Sequence, residues 1–158
     1  MNRKTVDVLT LFAFLGVTLA VGFTASLVTA PNIVGWYEGL NKPAFNPPNG
    51  VFAPVWTVLY VLMAIAAWRV WRKVGLVSRP LGLYAVQLAL NFAWSLIFFG
   101  AHAVGPALVE IIVLFVFVVA TMRSFWPLDR IAGWLFVPYC AWIICAGVLN
   151  AAVWRLNG

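Results

Sequence analysis

Five stretches of this chain, residues 6–28, 51–71, 80–101, 106–125 and 131–154, each run for about twenty residues with scarcely a charged side chain. A helix needs about 20 consecutive apolar residues to cross a hydrocarbon core about 30 Å thick, so each stretch is long enough to span a bilayer. None reads as a strand of a membrane barrel, because period-2 alternation is missing and barrel strands are shorter. The expected fold is all-α: one polytopic membrane domain over residues 1–158, a bundle of five transmembrane helices with a structured loop between the first two. Composition agrees. Apolar residues make up 65% of the chain and charged residues 9%, against about 25% charged in a soluble domain, too little to cover a water-facing surface.

Arg3 and Lys4 precede the first stretch, and Val28-Thr29-Ala30 has the look of a signal-peptide cleavage site. The apolar run exceeds the 7–15 residues of a secretory h-region, so the segment is expected to stay as helix one. Pro80 and Pro106 open the third and fourth stretches, where a first-turn proline is tolerated. Counting Lys and Arg at alternate ends puts Arg3, Lys4, Arg69, Arg72, Lys73, Arg79, Arg123 and Arg130 on one side and Lys42 and Arg155 on the other. By the positive-inside rule the first side is cytoplasmic in a bacterial inner membrane. The net charge of +6 therefore encodes topology, and nucleic acid is not expected as a partner.

The connector at about residues 31–50 is unlike the other, shorter ones. From Trp36 it reads Trp-Tyr-Glu-Gly-Leu-Asn-Lys-Pro-Ala-Phe-Asn-Pro-Pro-Asn-Gly. Pro43, Pro47 and Pro48 fix φ and remove backbone donors, which makes it stiff, and a stiff aromatic loop beside a bundle mouth is a lid.

Trp68, Trp71, Trp126, Trp134 and Trp154 fit the aromatic belts of a membrane interface. Others lie too deep for that. Trp56 and Tyr60 share a helix face at i and i+4; Asn91, Trp94 and Phe98 fall at i, i+3 and i+7; Tyr139, Trp142, Ala146 and Asn150 at i, i+3, i+7 and i+11. Amides inside a lipid-spanning helix are costly unless they face a partner or a cavity. Such stripes also serve helix packing, with Asn as interhelical glue, but a long rigid aromatic loop has little use unless it covers something. Converging under that loop, the stripes would line an apolar, π-rich pocket for a flat conjugated ligand.

Taken together, Trp36-Tyr37, Leu40-Asn41-Lys42-Pro43, Asn46-Pro47-Pro48, Pro54 to Tyr60, Gln87 to Trp94, Phe98-Phe99-Gly100, Val137-Pro138-Tyr139, Ala141-Trp142 and Leu149-Asn150 resemble the TspO family of tryptophan-rich sensory and translocator proteins, also called the peripheral benzodiazepine receptor. The resemblance covers essentially the whole chain. It implies a five-helix bundle, usually a homodimer, that binds porphyrins such as protoporphyrin IX and, in some members, cholesterol and benzodiazepine-type ligands. By position it places pocket residues on Trp36, Tyr37, Trp56, Asn91, Trp94, Trp142 and Ala146. The Tyr-Arg ending of helix five in cholesterol-binding relatives is replaced here by Ala151, Ala152 and a later Arg155, so sterol recognition through that motif is doubtful and a tetrapyrrole is the better expectation. The resemblance also admits an outer membrane as the location.

Two function classes follow: a receptor or regulator that binds a tetrapyrrole beneath the lid, with a possible role in its transport or in stress signalling, and a light- and oxygen-dependent porphyrin-degrading enzyme. The enzyme would use Trp56 and Trp142, read as indoles on opposite walls. Five helices do not split into the equal repeats of common carriers. No cofactor is required, porphyrin being the ligand. Glu110, in the first turns of helix four where the dipole favours an anion, reads as an interface anchor, and His102 in a short link reads as solvated. Cys140 and Cys145 point in different directions, which precludes a close disulfide, and no cluster accompanies them to hold a metal. For a dimer, Ala85, Ala89 and Ala93 recur every fourth residue on helix three, a small-xxx-small face, with Gly147 and Ala151 on helix five as the rival.

Overall fold

The computed structural model describes residues 2–158, all helices and connectors, with no strand among them. The helices are α1 (Arg3–Asn32), α2 (Asn49–Val74), α3 (Arg79–Ser95), α4 (Val104–Phe125) and α5 (Arg130–Asn157). A wider π turn extends α1 over Ile33–Tyr37 and another extends α3 over Leu96–Gly100. All five spans are long and apolar enough to cross a membrane. The protein is an integral multi-pass membrane protein.

The helix limits follow from local chemistry. Asn2 caps α1 by accepting from the Lys4 amide at 3.3 Å, and Asp129 caps α5 by accepting from the Ala132 amide at 3.0 Å. Gly75, at φ 74°, ends α2, a left-handed conformation that L side chains avoid. The first span differs most from expectation. The chain stays helical to Tyr37, so Trp36 and Tyr37 belong to the end of the first span and the true loop is residues 38–48. Pro31 cannot donate to the Leu27 carbonyl one turn earlier; beside it the Asn32 side chain donates to the Val28 carbonyl at 2.8 Å, and the backbone widens so that the Glu38 amide reaches the Ile33 carbonyl at 3.0 Å. The helix therefore absorbs the proline. At its far end α5 runs on to Asn157 instead of stopping near 154.

The helices close a ring in the order α1, α2, α5, α4, α3, each touching the next. In lipid the burial of apolar side chains supplies little drive between helices, and close packing and hydrogen bonds take its place. Those bonds are present. Thr18 and Tyr84, both buried, share a hydroxyl hydrogen bond between α1 and α3, and the Trp68 indole donates to the Asp7 carbonyl at 2.9 Å. Around the basic end the interior is solid, with Met63, Ala66, Val70, Phe125, Ala132 and Phe136 all fully buried. Phe125 meets Phe136 edge to face at 5.3 Å. At that end Arg69 grips Asp129 through Nη2–Oδ2 at 2.9 Å and Nε–Oδ1 at 3.1 Å, and Arg72 meets Asp7 at 3.3 Å. Burial alone would raise the Asp129 carboxyl, but the Arg69 hydrogen bond and charge and the amides of Ala132 and Ile131 hold it below the ordinary aspartate range. The opposite half of the bundle is hollow.

Candidate ligand pocket

The hollow is a cavity of about 480 Å³ walled by α1, α2, α3 and α5, with Tyr37 and Pro47 at its roof. This lies within the 300–1,000 Å³ of ordinary ligand pockets. No Asp, Glu, Lys, Arg or His is among its lining residues.

Its floor is a chain of polar groups. Tyr60 Oη donates to Asn91 Oδ1, and Asn91 Nδ2 donates to Tyr139 Oη at 3.0 Å, which ties α2, α3 and α5 together. One turn higher, the Trp94 indole donates to Asn150 Oδ1 at 3.2 Å, and Asn150 Nδ2 donates to the Val104 carbonyl at 2.8 Å. Both amides expected to need partners thus find them in neighbouring helices and hold the aromatic rings in place. Trp94 stacks on Phe98 at 4.9 Å and Trp56 on Tyr60 at 5.7 Å. The wall pairs most of its polar groups internally, apart from the buried Trp142 indole N–H, which has no partner among the described residues, and shows mainly ring faces and edges to the interior.

Roofing is done by residues 38–48 and the π turn before them. Tyr37 Oη donates to Asn46 Oδ1 at 2.7 Å. Lys42 Nζ donates to the carbonyls of Tyr37, Glu38 and Leu40 at 2.9–3.0 Å, capping the open end of the first span. The Asn157 side chain, at the end of α5, both accepts from the Asn41 amide and donates to the Asn41 carbonyl, each at 2.9 Å. The stiff lid is therefore latched to the last turn of the bundle.

Of the residues expected from sequence, Tyr37, Trp56, Tyr60, Asn91, Trp94, Phe98, Trp142, Ala146 and Asn150 line the cavity. Trp36 and Tyr139 do not. Trp36 turns outward, stacks on His102 at 4.2 Å and sets its edge against Phe98 and Phe99, so it braces the wall from behind. Tyr139 is fully buried and supports the floor through Asn91. Trp56 and Trp142 are not on opposite walls: α2 and α5 are neighbours in the ring, and the two indoles meet edge to face at 6.4 Å as one corner.

Sequence reasoning missed the α1 wall, made of Leu19, Gly22, Phe23, Ser26, Thr29 and Ile33 among others, and Phe52 on α2. A signal existed in Gly22, Ser26 and Ala30 at i, i+4 and i+8, a strip of small residues facing the hollow. Phe52 seals the roof between Tyr37 at 6.5 Å and Trp142 at 6.1 Å. Two other expectations change. Both Glu110 carboxylate oxygens are buried with no hydrogen-bond partner among the described residues; the seventh residue of α4 is already inside the membrane span, one turn from buried Ala107 and Leu114, so it is no interface anchor. His102 is exposed but not simply solvated, since it adopts φ 54°, stacks on Trp36 and places Nε2 2.9 Å from Asn32 Oδ1. Gly147, half-exposed on α5, approaches Ile111 of α4 within the same chain.

A sequence profile described as the TspO/MBR family matches residues 14–155. The chain belongs to the TspO/MBR family. The matched region includes every residue that lines the cavity of this TspO/MBR protein. Its relatives include the tryptophan-rich protein TspO of Chlorobaculum tepidum, 40% identical with 99% of each chain covered. Protein CrtK of Rhodobacter capsulatus is 40% identical with 94% of each covered. The translocator protein of Sus scrofa is 40% identical over 87% of this TspO/MBR chain and 89% of its own.

Proposed function

We propose that the protein is a membrane receptor that binds a tetrapyrrole, with protoporphyrin IX as the test ligand, in the cavity beneath the lid. The observation that carries this reading is the uncharged, indole- and phenyl-walled hollow of about 480 Å³ between four helices. A flat conjugated ring system matches such walls through stacked and edge-on contacts. The family resemblance, and relatives named for sensing and translocation, support binding coupled to a downstream signal or to movement of the ligand.

Titration with protoporphyrin IX is expected to quench tryptophan fluorescence. Trp56→Phe and Trp142→Phe should each weaken the quenching, because both indoles line the cavity; unchanged titrations in both would remove the assignment. On the same reading the basic end faces the cytoplasm and the protein works as a homodimer through α3. Ala85 and Ala89 are exposed and Ala93 half-buried on that helix, a surface on which a second backbone can come close.

A further inference from the structure

The roof is the most heavily bonded part of the hollow half. The latch of Asn157 on Asn41, the three carbonyls gathered by Lys42, the bond from Tyr37 to Asn46 and that from Asn49 Nδ2 to Glu38 Oε1 at 3.1 Å would all resist opening toward water. The side wall is different. A residue that lines the cavity and is also exposed marks a place where the hollow comes closest to the surface. On α1 these residues are Phe23, 65% exposed, with Ser26 and Ala30; on α2 they are Ala53 and Thr57.

Four of those five side chains are small. Ser26 Oγ donates to the Phe23 carbonyl at 2.7 Å and Thr57 Oγ1 to the Ala53 carbonyl at 2.8 Å, so neither hydroxyl bridges the two helices. Phe23, the one bulky member, has no aromatic partner among the described residues. Lower down the seam closes where α1 touches α2 at Gly22 and Tyr60. The other surface breach, at Cys145 between α2 and α5, is stopped by the Trp56–Trp142 corner.

We infer that the pocket is filled sideways from the bilayer, through the seam between α1 and α2 with Phe23 as its flap, by a ligand already dissolved among the acyl chains. Both helices are membrane spans, so this seam faces lipid and an apolar ligand crosses it without passing through water. The lid then works as a fixed roof. The inference rests on the ligand-pocket reading and adds the route.

The test is stopped-flow fluorescence in which protein in liposomes is mixed with protoporphyrin IX, which partitions into the bilayer before it binds. Filling the seam with Ser26→Trp or Ala53→Trp should slow association about tenfold, as expected when entry needs a larger conformational change, and Phe23→Ala should accelerate it. Asn157→Ala, which unlatches the lid without touching the cavity lining, should leave the rate unaltered. Acceleration by Asn157→Ala with no effect of Phe23→Ala would overturn the route. If Ser26→Trp and Ala53→Trp fail to fold, Phe23→Ala decides alone, and an unaltered rate in it refutes the seam. Absence of equilibrium quenching in the unaltered protein would overturn the tetrapyrrole reading and the route with it, whereas full quenching with rates insensitive to the seam overturns the route only.

Discussion

Gly22→Ala is the smallest change that should harm both the fold and the pocket. A Cβ at position 22 would lie 2.6 Å from Tyr60 Cδ2, closer still to Cε2, and 3.1 Å from Cζ. The ring cannot simply move aside, because Tyr60 Oη is bonded to Asn91 and its face is stacked on Trp56 at 5.7 Å. Overpacking of this kind costs about 1–3 kcal/mol, and losing the Tyr60–Asn91 bond would add about 1 kcal/mol. The helix propensity gained by replacing glycine returns about 1 kcal/mol, so the expected net loss is about 1–3 kcal/mol. Reversible unfolding in mixed detergent micelles, followed by tryptophan fluorescence, measures it. A double-mutant cycle isolates the cause: in a Tyr60→Ala background the clash has no ring to meet, so Gly22→Ala should become neutral or stabilising there. An equal penalty in both backgrounds, or no penalty in the first, would refute the argument.

Replacing Glu110 by Leu removes two buried oxygens that have no partner among the described residues and should raise stability by about 1–3 kcal/mol in the same assay. The depressed carboxyl of Asp129 implies stability that is complete above the unfolded-state value of about 3.9 and fades as pH falls through the lower folded value. Asp129→Asn should abolish that acid-side loss while keeping a side-chain oxygen for the cap, and identical pH profiles would count against the Arg69 pairing. For the homodimer proposed through α3, Ala89→Trp on the exposed face of that helix should give monomer in light scattering without altering ligand quenching; a dimer retained in the variant, or a monomeric unaltered protein, would refute that interface.

How much could be read from the residues alone follows from what lipid does to the code. Asn91 and Asn150 betrayed the inward face of their helices because an amide has nowhere else to go in hydrocarbon, and the neighbouring aromatics came with them. On α1 no amide lines the cavity, and the small-residue strip of Gly22, Ser26 and Ala30 is a fainter signal: Phe23 is 65% exposed while Ala25 is 5% exposed, since a large apolar side chain sits as comfortably in lipid as in the bundle. That wall stayed hidden, as did the flap. Trp36 was misplaced because it reads as part of the lid connector, whereas the chain stays helical through Tyr37 and the indole stacks on His102, a partner far along the chain. The latch joins residues 41 and 157, a pairing that no local pattern announces.

The division of the bundle into a solid half and a hollow half carries a consequence for its motions. Backbone amides around Val70, Phe125 and Phe136 lie within tight packing, whereas those around Ser26 and Ala53 border empty space on one side and acyl chains on the other. Local openings are drawn from the poorly packed regions of a fold. Deuterium uptake should therefore be graded along the length of each span, fast beneath the lid and slow near the basic rim, and an occupant of the hollow should flatten that gradient by stiffening only the fast end.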